Sequence, residues 1–81
     1  MGMLRVLSRN GDDRYVWNES AVRTGDPEAI AAIAEAERIF REERAKGSTA
    51  LRVAPGRPAE RLDQFDPEAE QIMMVPRVIG G

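Results

Sequence analysis

The chain reads as an α+β protein in which one long amphipathic helix covers a mixed sheet. Three features predict this: two short apolar stretches around a tight turn at the N-terminus, one explicit helix start at Asp26, and an apolar run near the C-terminus. A hairpin followed by a helix and then by returning strands rules out a doubly wound parallel sheet, which needs strands and helices in alternation. Eighty-one residues suit one domain with a single small core, and are too few for a cleft walled by two domains.

Met3 to Ser8 is expected to be the first strand, because apolar residues of high strand preference precede a cluster of turn formers. That cluster, Asn10-Gly11-Asp12-Asp13, favours the positive φ angles of a tight hairpin, and Arg14 to Trp17 is the expected partner strand. The same carboxylates do not read as a calcium loop, which needs about twelve residues and a closing Glu. Asn18 to Gly25 has no periodicity and reads as a connection. Asp26 then supplies a cap, Pro27 fits the first helical position, and Glu28 sits favourably at the positive end of the dipole. The helix is expected from Pro27 to about Lys46, with Gly47 as its left-handed stop. Ala29, Ala32, Ile33, Ala36, Ile39 and Phe40 share one face at helical spacing, while Glu28, Glu35, Arg38 and Glu42 point to water. The mixed charges at these spacings read as a solvated face with local ion pairs.

Thr49 to Val53 is the next expected strand, and Ala54 to Pro58 is a breaker-rich turn. The Gly56-Arg57 pair lacks the spacing and the Lys of a phosphate loop. Arg61 to Phe65 is a weaker strand at an edge, and Asp66-Pro67-Glu68 is expected to start a single helical turn. Ile72 to Val75 then forms a buried last strand that Pro76 terminates. The expected core joins Ile33 and Phe40 to Leu4, Val6, Leu51, Val53, Ile72 and Met74. Residues 1–76 make up the folded domain, and 77–81 a tail.

Composition removes several function classes. There is no cysteine and no histidine, so disulfides, thiolate metal sites, a cysteine nucleophile and the commonest general base are all unavailable. The formal charge is −2, and the twelve basic residues, eleven Arg and the single Lys46, are spread along the chain without a tract for nucleic acid. No apolar stretch is long enough to span a bilayer and no signal peptide is evident, so no membrane partner and a cytoplasmic location are the expectations.

The last eleven residues, Gln71 to Gly81, carry the strongest functional signal. Gly80 and Gly81 lack a Cβ, and form a thin backbone able to enter a narrow channel with a carboxylate at its tip. An apolar strand, then Pro, then a hydrophobic residue two positions on, then the diglycine: Val75, Pro76, Val78, Gly80 and Gly81 together resemble the end of the ubiquitin-like sulfur carriers. These are the small subunit of molybdopterin synthase and the thiamine-biosynthesis carrier. The element order is similar to their fold, the β-grasp, in which first and last strands pair in parallel. The match has its specific part in the tail. The chain departs from the pattern at Phe65 to Glu70, where the carriers place a short helix and a Gly-Asp turn, and at Arg77, a position often filled by Pro.

The resemblance implies a protein that is not itself an enzyme and binds no cofactor. An E1-like adenylating enzyme would activate the Gly81 carboxylate with ATP and magnesium, Val75, Pro76, Arg77 and Val78 would seat the tail on that partner, and a sulfur-acceptor enzyme or a modified protein would follow. A modifier that forms chains needs accessible lysines, and Lys46 alone tilts the expectation toward a carrier or a single-copy modifier. The alternative from a different class is a non-covalent assembly or virion-type module whose sheet and helix pack on a partner, with the glycines as an ordinary chain end.

Overall fold

The computed structural model describes residues 1–8 and 11–77. Its elements run β1 (Gly2–Ser8), β2 (Gly11–Trp17), α1 (Glu19–Arg23), α2 (Pro27–Ala45), β3 (Thr49–Val53), β4 (Glu60–Leu62) and β5 (Gln71–Val75). The strands form a five-stranded sheet in the order β2-β1-β5-β3-β4. β1 pairs antiparallel with β2 and parallel with β5, and β3 pairs antiparallel with both β5 and β4. The architecture is therefore α+β and β-grasp-like: an N-terminal hairpin, a long helix and a mixed sheet with its last strand at the centre.

α2 forms where its caps place it. The Asp26 side chain accepts from the Glu28 amide at 3.0 Å, Pro27 occupies the first turn, and the helix runs to Ala45. Ala29, Ala36 and Phe40 are buried, and Ala32, Ile33 and Ile39 pack beside them, so the expected apolar face is the one that meets the sheet. Toward that face the sheet turns Leu4, Ala50, Ile72 and Met74, none of them exposed.

Several expectations are corrected by register. Ala50 lies opposite Met74 and Leu62 on the core side, so alternation along β3 sends Leu51 and Val53 to the other face of the sheet. They are absent from the core, whose place at that strand Ala50 takes. Trp17, 1% exposed, is the largest core residue that the sequence pattern did not single out. β2 begins at Gly11, three residues before the expected start, because the pairing continues out to Ser8 opposite Gly11. Asn10 lies outside the described residues. The segment expected to be a bare connection contains α1, where the Asn18 side chain accepts from the Ala21 amide at 3.2 Å and Glu19 opens the helix.

The stretch between β4 and β5 differs most. β4 stops at Leu62, and Phe65 leaves the sheet to pack between Trp17, with ring centroids 5.2 Å apart, and Phe40, at 5.8 Å. Asp66 to Ala69 is a single hydrogen-bonded turn and not a helical one: the Ala69 amide donates to the Asp66 carbonyl at 3.2 Å, and the Asp66 side chain accepts from the Glu68 amide at 3.0 Å. Arg52 donates to Asp66 at 3.0 Å and the Trp17 indole donates to the Pro67 carbonyl at 2.8 Å, which ties this segment across the end of the core.

Candidate functional site

β5 is the strand from which the tail departs. Gln71 to Met74 pair on both sides, with β1 and with β3, and the last paired residue, Val75, lies opposite Thr49 of β3. Pro76 follows, exposed and without an N–H to continue a ladder, and the chain leaves the sheet there. Of the residues expected to seat a partner, Val75, Pro76 and Arg77 are thus brought to one place. Val78, Gly80 and Gly81 lie outside the described residues.

The face of the sheet away from the helices is open. Across its middle row lie Arg14, Arg5, Met73, Leu51 and Arg61, and the row beside it runs Val16, Met3, Gln71 and Val53. Met3, Leu51, Val53, Met73 and Val75 are half-buried there without belonging to the core, and Val16 is 46% exposed. The charges on this face are segregated. Strand alternation places the carboxylate of Asp12 and three arginines on it, although the whole chain is net negative. Asp12 accepts from Arg5 at 2.9 Å and from Arg14 at 3.2 Å, and these hydrogen bonds, the one from Arg5 first, hold its carboxyl below the usual range. On this face the apolar pair Met73 and Leu51 lies between Arg5 and Arg61.

At the tail's point of exit stands the end of α2. β3 runs antiparallel to β5 with Thr49 opposite Val75, so the turn that joins α2 to β3 lies beside the last residues of the described chain. Gly47 takes a φ of +97°, which lets the Gly47 amide reach the Arg44 carbonyl and the Ser48 amide the Glu43 carbonyl, both at 3.0 Å. The Arg77 side chain rests on this glycine: a Cβ on Gly47 would stand 3.2 Å from Arg77 Cδ and 3.9 Å from its Nη1. There the guanidinium sits near the negative end of the helix dipole. Next to Gly47, Lys46 donates to the Glu43 carboxylate at 3.0 Å, and this hydrogen bond and Glu43's charge raise the lysine's pKa.

The neighbourhood of Glu43, Lys46 and Gly47 was not visible as part of the site from sequence. Its signal lay in the order of strands: the strand after the helix must start where an antiparallel last strand ends. Among the described residues there is no group of three or more side chains arranged to hold a metal ion, and no helix is long and apolar enough to cross a membrane. The chain matches no family model, no curated protein and no solved structure.

Proposed function

We propose that this chain is a ubiquitin-like carrier or modifier whose Gly81 carboxylate is activated by an E1-like adenylating enzyme. The observation that carries the reading is that the central strand of a β-grasp-like sheet delivers the chain, at Pro76, into a tail of sequence Pro-Arg-Val-Ile-Gly-Gly. A terminal carboxyl titrates near ~3.5, so at neutral pH it is an anion and a poor electrophile. Its oxygen must attack the α-phosphate of ATP, with magnesium held by the partner enzyme, to release pyrophosphate and leave a mixed anhydride with AMP. A sulfur nucleophile then displaces AMP, giving a thiocarboxylate for a sulfur-acceptor enzyme or a thioester from which a lysine of another protein takes the acyl group. The β-grasp body does none of this chemistry. It presents the tail and docks the partner through the open face, where Met73 and Leu51 lie between Arg14 and Arg61. A partner that consumes ATP fits a cytoplasmic protein.

The open face also favours a second reading, a non-covalent assembly module, because half-buried apolar side chains on a sheet face suit packing on a partner without any activated terminus. ATP–pyrophosphate exchange with a candidate adenylating enzyme separates the two. The native chain supports exchange, and a chain extended past Gly81 does not, since the extension removes the carboxylate from the reacting phosphate. Equal function of an uncleaved extended chain in cells would leave the assembly module as the better account.

A further inference from the structure

The two edges of the sheet, β2 and β4, are not alike. β4 is three residues long, with Pro58 shortly before it and Pro67 after it, and so short an edge flanked by proline offers little to pair with. β2 is seven residues long, contains no proline, and pairs with β1 in unbroken register from Gly11 to Trp17. Its outer side is bare. The Met3 amide donates to the Glu70 carbonyl at 3.1 Å, so the backbone of Met3 turns to β5, and by alternation that of Leu4 and Val6 turns to β2. Opposite these lie Tyr15 and Asp13, whose N–H and C=O groups are taken up in that ladder. The N–H and C=O groups of Asp12, Arg14 and Val16 then point out of the sheet, and no backbone hydrogen bond among the described residues reaches them from beyond the strand. The side chains along this edge differ in kind. On the open face Val16 is 46% exposed, and Arg14 is 59% exposed with only its Nε held, by Asp12. On the helix side Tyr15 lies beside Leu4, and Asp13, beside Val6, is exposed and has no cation against it among the described residues.

We infer that the outer edge of β2 is a docking site for an extended segment of a partner protein, added antiparallel and carrying, in order, two apolar residues, an acid and a base opposite Val16, Tyr15, Arg14 and Asp13. The bonds are those of a sheet: each of Asp12, Arg14 and Val16 exchanges an N–H and a C=O with the residue it faces. Charge sets the register. An acid opposite Arg14 meets its free Nη groups, a base opposite Asp13 meets an unpaired carboxylate, and an apolar side chain covers Val16. A second copy of this chain fits poorly. Only three antiparallel registers match the faces of two copies and pair five or more residues of β2. They set Asp13 against Asp13, Arg14 against Arg14, or Arg14 and Asp13 against Val16 and Trp17, so like charges or a charge and an apolar group always meet. The edge is thus open to a complementary strand and closed to its own. This inference is independent of the acyl-activation reading.

The test is hydrogen exchange of the full chain, followed residue by residue by NMR, with and without a capped synthetic peptide that has Ile-Val-Glu-Lys at its centre. Without peptide the Asp13 and Tyr15 amides are protected and those of Asp12, Arg14 and Val16 exchange freely. At saturation the peptide slows exchange at Asp12, Arg14 and Val16 by about tenfold or more. A peptide with the charges exchanged, Ile-Val-Lys-Glu, binds about tenfold more weakly, because both cross-strand pairs turn repulsive. Methylating the peptide nitrogen of Glu removes its bond to the Arg14 carbonyl and abolishes binding, whereas methylating that of Lys, which points away from β2, leaves the affinity within about twofold. Val16→Pro removes one outward N–H and none that faces β1, so the variant folds and loses the peptide. Should it fail to fold, the two methylated peptides decide the same point on the native chain. No binding at millimolar peptide overturns the inference, and so does binding that leaves Asp12, Arg14 and Val16 unprotected or that is equal for the two charge orders. A dimer of the chain that protects these amides without peptide overturns the choice of partner in favour of a second copy.

Discussion

Replacing Gly2 by alanine tests how the sheet, the tryptophan and the segment before the last strand depend on one another. Gly2 lies opposite Trp17 in the β1–β2 ladder, and the indole lies across it so closely that an added Cβ would collide with Trp17 Cε2. The ring cannot simply swing away. It is 1% exposed, packs on Phe65 and donates to the Pro67 carbonyl at 2.8 Å. Overpacking of this kind costs about 1–3 kcal/mol, and a buried N–H left without its acceptor adds about 1–3 kcal/mol where the ring moves off Pro67. The two are alternatives in part, since a ring that moves relieves the clash, so about 2–4 kcal/mol is the expected loss. A domain of this length has roughly 4–12 kcal/mol in all, and the corresponding fall in Tm is on the order of 10–25 °C. Thermal and urea unfolding followed by circular dichroism give the loss, and Trp17 fluorescence reports whether the indole becomes wetter. An unchanged midpoint with unchanged emission would refute the packing argument.

Phe40→Ala should cost about 3–5 kcal/mol, because the ring is 2% exposed between helix and sheet and meets Phe65 edge-on; urea unfolding measures it, and a cost near zero would mean the helix meets the sheet by another face. Removing Gly80 and Gly81 should move the unfolding midpoint little, since pairing of the last strand ends at Val75; a large loss would show a tail packed on the body. Asp12 titrates below its usual value in the folded state because Arg5 and Arg14 donate to the carboxylate, so its contribution to stability is fully present above the unfolded pKa of 3.8 and is lost as pH falls through the lower folded value. An NMR titration should place the Asp12 midpoint below 3.8, and Asp12→Asn should flatten that part of the acid unfolding curve; a midpoint at or above it contradicts the pairing.

Much of the fold was legible because local signals and the global arrangement agree. Asp26, Pro27 and Gly47 mark the long helix by capping chemistry, and the spacing of Ala29, Ala36 and Phe40 names its buried face. Failures came where register decides and composition does not. Leu51 is more apolar than Ala50, yet Ala50 is the residue turned to the core, because Met74 lies opposite it and α2 crosses that face. Phe65 looked like the end of a strand, but its place is set by two aromatic partners far away in the sequence. α1 is only five residues long, too short for periodicity to show. In the candidate site, Val75, Pro76 and Arg77 could be read from the run that contains them. Glu43, Lys46 and Gly47 could not, since nothing but the antiparallel pairing of β3 with β5 brings the helix end to the tail.

The central claim is that the carboxylate of Gly81 becomes an acyl donor, and intact and fragment mass analysis of this protein from the cells that make it tests that most directly. A Gly81 thiocarboxylate, with sulfur in place of one carboxylate oxygen, or a Gly81 acyl group on a lysine of another protein, is the predicted result. Only free carboxylate at Gly81, in cells where the adenylating enzyme is present and working, would contradict it.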